Sequence, residues 1–378
     1  MVADIRETAF GRIIFNDSGM SFSEIKGELT EANQRLFDIH DDAQVALWSY
    51  SMSNYYPLFA DILDLIKPQS FCEIGVYRGW GTKLYIKLCD KYNARLHCID
   101  PFFEADLLPP ASEKLSYFNE TSRQYFERNI TSDIYFIDGE HTYEAVHHDL
   151  TKIQSLHQDR KCIIFLHDMN WPHSYRDVIM NRQDYLHKER PCGRGYIFPT
   201  SEGFTNVGMP MFYADITENE GGPGNGLLNA VETFLSDFAE WDFAKIPSVY
   251  GLGILWNPTL MTDKERRYLE FKKAQLQTFS PFLSYLELHR LLTMAKMSLD
   301  EQNLNSLQSD LNVLTAASAS LAEQTEALRQ QNDSLQDQLQ TAITDRDNHA
   351  RNCRSLLDSN SWKITAPLRF IKSFITRK

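Results

Sequence analysis

The sequence predicts an α/β fold, a doubly wound and mostly parallel sheet, followed by a long C-terminal coiled-coil helix. Two patterns carry that expectation. Before residue 260, short apolar runs alternate with helix-like stretches, and the runs close on Gly or Asp. Such alternation builds βαβ units on a parallel sheet. From Glu301 to Ala350 there is no Gly, no Pro and no aromatic residue, so nothing in that stretch interrupts a helix.

The elements follow in order. Residues 71–75 read as a first strand, with a helix over 82–92. Residues 94–100 form a second strand and 133–138 a third, the latter followed by a helix over 142–157. Residues 161–168 form a further strand. The late apolar segments 209–214 and 249–255 are placed in the same sheet. Residues 1–50 carry no interpretable motif and are assigned as a cap or accessory segment. The α/β domain is bounded at 51–260 and a helical connector runs over 261–300. In 301–346, Leu307, Leu314, Leu321, Leu328 and Leu335 recur every seventh residue. Leu304, Leu311 and Leu339 share the complementary seam with Ser318, Thr325 and Asn332. This is an a/d heptad pattern with a polar middle. Residues 347–378 form a basic amphipathic tail.

Composition bounds the function. The chain has 378 residues, 43% of them hydrophobic, and a formal net charge of -13. A core is available, and a general nucleic-acid binder would be basic, so nucleic acid is excluded as a partner. No apolar run reaches the roughly 18 to 20 residues of a membrane span. The opening residues lack the basic and apolar regions of a secretory signal. Six cysteines without a CxxC pair read as free thiols in a reducing cytoplasm.

Chemistry concentrates at four strand ends, where open α/β sheets bind ligands. The first is the turn Glu73-Ile-Gly75-Val76-Tyr77-Arg-Gly79-Trp-Gly81. Glycine admits close backbone approach, and the following helix start offers free N–H groups. Its spacing is neither GxGxxG nor a P-loop. The second is Asp100, which either accepts ribose hydroxyls or closes a turn. The third is Asp138 with His141 three residues on, opening a helix whose His147, His148 and Asp149 read as a solvated face. The fourth is His167-Asp168. Asp138, His167 and Asp168 either share one divalent cation or orient one another without metal.

These motifs resemble class I S-adenosylmethionine-dependent methyltransferases, in the branch with FIDGxHxYExVxxDL and HD-x-N-x-P motifs that includes sugar and natural-product O-methyltransferases. They stand here as residues 136–150 and 167–172, within a match over roughly 55–256. The resemblance implies a Rossmann-like methyltransferase fold and S-adenosyl-L-methionine as cofactor, with a divalent cation such as Mg2+ as an option. It implies that Glu73 holds the methionine ammonium, that the backbone of Gly75, Val76, Tyr77 and Gly79 receives the cofactor, and that Asp100 grips the ribose. Thr121 and Ser122 fall where adenine is bound, although Arg123 departs from the acid usual there. Asp138 lies between cofactor and acceptor. His141 is the leading catalytic base, with Asp168 the alternative. Trp171 and segments 198–204 and 209–213 offer an aromatic platform or ordinary packing. The Gly221–Gly226 loop either presents N–H groups to an anion or connects flexibly.

The last 20 residues hold Lys363, Arg369, Lys372, Arg377 and Lys378 and no acid, which leaves -18 for the rest of the chain. Bulky apolar residues interleave with these bases, the pattern of an interfacial membrane segment. Residues 360–369 resemble a short terminal motif of bacterial cell-surface polysaccharide glycosyltransferases and their partners. Together these parts resemble methyltransferases that modify or cap lipid-linked O-antigen polysaccharide. The expectation is a cytoplasmic enzyme, peripheral on the inner face of the membrane. It self-associates as dimer or trimer, acts on a lipid-linked glycan and docks a glycosyltransferase. The alternatives are a metal-dependent hydroxylase on the same fold, or a non-catalytic scaffold of a glycan assembly complex.

Overall fold

The computed structural model describes residues 52–375, apart from 104, 105, 107, 184, 200 and 201. The expected cap at 1–50 lies outside the described residues, as do Arg377 and Lys378 of the tail. The chain divides into two units, the second being Asp300–Lys378.

In the first unit, seven strands form one sheet. They are β1 (Ser70–Ile74), β2 (Arg95–Ile99), β3 (Leu115–Phe118), β4 (Ile134–Ile137), β5 (Ile163–His167), β9 (Asp242–Ile246) and β10 (Leu252–Trp256). Their spatial order is β3-β2-β1-β4-β5-β10-β9. The first five are parallel, β10 runs antiparallel to β5, and β9 runs antiparallel to β10. Strand order reverses between β1 and β4, so the crevice of a doubly wound sheet opens there.

The strands alternate between two cores, as a period of two requires. Phe71, Ile134, Phe136, Ile163 and Phe165 join one core with Phe59, Ile62 and Leu63 of α1 (Tyr56–Ile66) and Leu88 of α2 (Trp80–Tyr92). Cys72, Ile74, Tyr135, Ile137, Ile164 and Leu166 face the other. There they meet Val146, Leu150 and Ile153 of α4 (Tyr143–Leu156) and Val231 and Phe234 of α5 (Leu227–Asp237). Covering on both faces explains why these strands read as continuous apolar runs. Between β3 and β4 lies the short α3 (Ser122–Phe126).

One of the two late segments departs from expectation. Residues 252–256 join the main sheet, but 209–214 do not. They lie in β8 (Met209–Thr217), the middle of a separate antiparallel sheet between β6 (Val178–Ile179) and β7 (Cys192–Ile197). The first part of β8 alternates, with Met209 and Met211 buried and Pro210 and Phe212 exposed, before a register shift. A strand of that kind suits a sheet open on one side rather than a doubly covered centre.

Asp263–Asp358 is one 96-residue helix, α6. Its N-terminal part packs on the first unit through Leu269 and Leu291. In the second unit, all eight heptad leucines expose more than half of their surface. Residues 301–346 alone extend about 70 Å at helical rise. Two short helices follow, α7 (Asn360–Ile364) and α8 (Ala366–Ile375). Among the described residues, no helix is long and apolar enough to cross a membrane. All six cysteines are free, four of them buried.

Candidate active site

The turn after β1 is built by a carboxylate. Asp100, at the end of β2, accepts the amides of Val76 and Tyr77 on Oδ2 at 2.9 Å each, and that of Phe102 on Oδ1 at 2.8 Å. Tyr77 is left-handed, with φ 49°. A non-glycine residue resists that conformation, and the charge-assisted bond to its amide holds it there. Gly75 (φ 88°) has no alternative residue, because a Cβ would collide with the Asp138 carbonyl. That contact sets the glycine turn directly against the end of β4. Asp100 thus has a structural duty in addition to the ribose role expected of it, and Oδ1, with one bond, retains acceptor capacity.

Glu73 lies within β1 and is 3% exposed. It accepts from the Thr82 hydroxyl at 2.6 Å and faces the Cys98 thiol at 3.4 Å. Burial pushes its carboxyl up to about 8, against the smaller lowering effects of Thr82 and Cys98. Without a cationic partner it is therefore largely protonated at neutral pH.

Thr121 caps α3 in a reciprocal box with Gln124, its hydroxyl accepting from the Gln124 amide at 3.3 Å. Ser122 bonds the buried carboxyl of Asp149. The expected solvated face on α4 is corrected here: Asp149 is 3% exposed and paired with His148 at 3.2 Å. Burial raises its carboxyl pKa.

At the ends of β4 and β5, four predicted site residues meet. His141 Nε2 lies 2.8 Å from Asp168 Oδ2 and 3.3 Å from Asp138 Oδ1. His167 Nδ1 lies 3.3 Å from both Asp138 Oδ1 and Asp168 Oδ1. Angles exclude true hydrogen bonds to His167, so both its ring nitrogens are buried without a hydrogen-bond partner. One ligand atom each from Asp138, His167 and Asp168 all fall within 4.8 Å of one another. Oxygen and imidazole donors converging on one point, with an orphaned ring nitrogen among them, fit a divalent cation.

The electrostatics are tightly balanced. Burial opposes charge on every member, yet the imidazoles hold Asp138 low and Asp168 well below the usual carboxylate range. Burial likewise lowers the histidines, but the two carboxylates outweigh it, lifting His141 to about 10 and His167 to about 9. The two carboxylates thus favour the protonated form of both imidazoles. The expectation of an imidazole titrating near neutrality does not hold for His141 in this state.

Sequence reasoning missed two neighbours. His173 Nε2 lies 3.8 Å from Asp168, its ring 5.1 Å from that of His141, and burial depresses it to about 4. It stands six residues after His167 in the same motif, a visible signal. Tyr55, edge-on to His167 at 6.3 Å, gave none. Both ends of the Gly221–Gly226 loop are tied down, the Gly221 amide donating to the Tyr175 carbonyl at 2.8 Å. The Gly226 amide donates to Asp177 at 2.8 Å, and the first amides of α5 donate to the His173 and Ser174 carbonyls.

Residues 72–169 match a family model described as a methyltransferase domain. No curated protein matches the chain. Among solved structures, the chain is similar to the MycE methyltransferase from the mycinamycin biosynthetic pathway in complex with Mg and SAH. That likeness has 13% identity and a TM-score of 0.26, and it covers 32% of this chain and 39% of MycE, well short of two thirds of its length. The SAH-bound Podospora anserina methyltransferase PaMTH1 is similar at 12% identity and TM-score 0.35, covering 60% of this chain and 88% of that one. A putative O-methyltransferase from Klebsiella pneumoniae is similar at 12% identity and TM-score 0.34, covering 65% and 99% respectively.

Proposed function

We propose that this chain is an S-adenosylmethionine-dependent O-methyltransferase acting on a sugar hydroxyl of a lipid-linked cell-surface polysaccharide. One observation carries the chemistry: Asp138, His141, His167 and Asp168 converge at two adjacent strand ends, directly against the glycine turn of β1. The methyltransferase-domain match over 72–169 supports the same class.

The donor supplies a sulfonium-activated methyl carbon, which bonds to the acceptor oxygen as the C–S bond breaks and its electron pair stays on sulfur. The protein must align the two reactants and take up the hydroxyl proton. The 75–79 turn, whose glycines admit close backbone approach, and the remaining acceptor capacity of Asp100 hold the donor, and Glu73 ionises against its ammonium. In neutral His141, Nε2–H donates to Asp168 and leaves Nδ1 to accept the proton, with both carboxylates stabilising the imidazolium that forms. A divalent cation held by Asp138, His167 and Asp168 would neutralise the carboxylates that otherwise keep His141 protonated, and would acidify an acceptor hydroxyl reaching it.

The glycan assignment rests on the C-terminal third. The heptad seam assembles two or three chains, and Asn332 at a seam position favours one register. Trp362 and Arg369 stack at 3.5 Å, and Leu368, Phe370 and Ile371 of α8 are exposed beside basic residues. This tail places the enzyme on the inner membrane face, near a lipid-linked substrate and its glycosyltransferase. Mass spectrometry of surface glycan from a deletion strain tests the assignment. Loss of an O-methyl group, restored by the parent gene and not by His141→Ala, is expected; an unchanged glycan overturns it.

A further inference from the structure

We infer that Glu287, on α6 and far from the motifs, is a positioning residue for the strand-end cluster. This rests on the reading of that cluster as the reactive site. Glu287 is 2% exposed, on a helix that is largely solvated. Its Oε2 accepts the Val249 amide at 2.8 Å and its Oε1 the Tyr250 amide at 3.0 Å. Arg290 braces the same carboxylate through Nε at 2.8 Å and Nη2 at 2.6 Å, and lies over the Tyr250 ring at 4.3 Å.

What the clamp holds is strained. Val249 and Tyr250 have φ of 48° and 62°, followed by Gly251 at 91°. The left-handed region is hostile to a β-branched or bulky residue. Two consecutive residues stay there only when their surroundings over-determine them, and a buried carboxylate accepting both amides does so. The glycine that follows is obligatory, since a Cβ would lie 2.7 Å from the Asn170 amide.

The strained loop in turn holds the site. The Tyr250 carbonyl accepts the Asn170 amide at 2.6 Å and the Gly251 carbonyl the Met169 amide at 3.2 Å. Pro247 accepts from the Asn170 side chain at 3.2 Å, and Tyr55, the neighbour of His167, donates to the Ser248 carbonyl. The Tyr250 ring stands edge-on to His173 at 6.0 Å. The loop therefore fixes the backbone that follows Asp168, itself left-handed at φ 60°. Groups behind metal and catalytic side chains set their orientation and affinity. Nothing in this chain of contacts touches the 75–79 turn.

The test uses the full chain with Mn2+ as probe, read by electron paramagnetic resonance, and S-adenosylhomocysteine read by calorimetry. Glu287→Gln keeps the shape but loses the charge and one acceptor. It should lower Mn2+ affinity about 10- to 100-fold, with S-adenosylhomocysteine affinity within about twofold, inside ordinary mutational scatter. Adding Val249→Gly, which removes the left-handed penalty at that position, should restore Mn2+ affinity toward the parent value. A merely structural role would weaken both ligands together and would not be rescued in this way. Unchanged Mn2+ affinity in folded Glu287→Gln overturns the proposal. If the parent chain binds no Mn2+, the cation reading fails, and the clamp is judged from the imidazole 15N signals of His141 and His173. These move in Glu287→Gln if the clamp places the rings and stay if it does not.

Discussion

Replacing Glu73 by Gln should change how stability depends on pH. The carboxyl is raised from its ordinary 4.5 to about 8 by burial in β1. Its protonated form is the one the fold favours. That contribution is complete below about pH 4.5 and is lost as pH rises through about 8. One pKa unit corresponds to about 1.4 kcal/mol. Relative to low pH, the parent chain therefore loses about 3 kcal/mol at pH 7 and more than 4 kcal/mol at pH 9 through this group alone. Glutamine keeps an oxygen for the Thr82 hydroxyl and cannot ionise. Urea unfolding of parent and variant from pH 5 to 9 isolates the effect, because all other titrations cancel in the difference. The variant should gain on the parent by about 1.4 kcal/mol per pH unit between pH 5.5 and 7.5. Saturating S-adenosylhomocysteine should narrow the gap, since its ammonium stabilises the ionised carboxylate. Parallel stability curves would refute the reasoning about burial. A gap unaffected by ligand would remove Glu73 from the donor site.

Asp100→Ala frees three backbone amides and should weaken donor binding by about 1.5 to 3 kcal/mol, as charged hydrogen bonds are lost; calorimetry checks it, and unchanged affinity removes the assignment. His141→Ala should cut methyl transfer about 10²- to 10⁴-fold with donor affinity intact, measured with radiolabelled donor and isolated glycan. Asp168→Asn should abolish Mn2+ binding, and full activity after dialysis against EDTA would reject the cation. Leu321→Asp in the heptad seam should reduce the sedimentation mass, whereas a parent chain that is already monomeric removes the basis for assembly.

The strands of the central sheet were legible because apolar runs of four or five residues ended on charged or glycine residues at each site position. Both faces of those strands are covered, so the residues between the punctuation are mostly apolar, with Glu73 in β1 and His97 in β2 as exceptions. β9 was not legible: Asp242-Phe-Ala-Lys-Ile is short, interleaves polar residues and sits at the edge. The placement of 209–214 in the main sheet failed for a related reason. Its alternating burial belongs to a one-sided sheet, a distinction an apolar tally misses. The cluster of Asp138, His141, His167 and Asp168 was readable because each residue directly ends or follows a predicted strand. Thr121 carried its own capping signature, with Gln124 three residues on, before any adenine role. Glu287 and Tyr55 left no local trace, since the backbone groups they hold are 37 to 193 residues away. The bonds that tie down the Gly221 and Gly226 amides were not legible, as their acceptors lie in the segment around Tyr175 to Asp177.

In the proposed function the strand-end crevice between β1 and β4 receives a methyl donor. The most direct measurement is calorimetric titration of the full chain with S-adenosylhomocysteine, alongside Asp100→Ala. The account predicts one site per chain, weakened by the substitution. Absence of binding at millimolar ligand by a folded parent chain would contradict it.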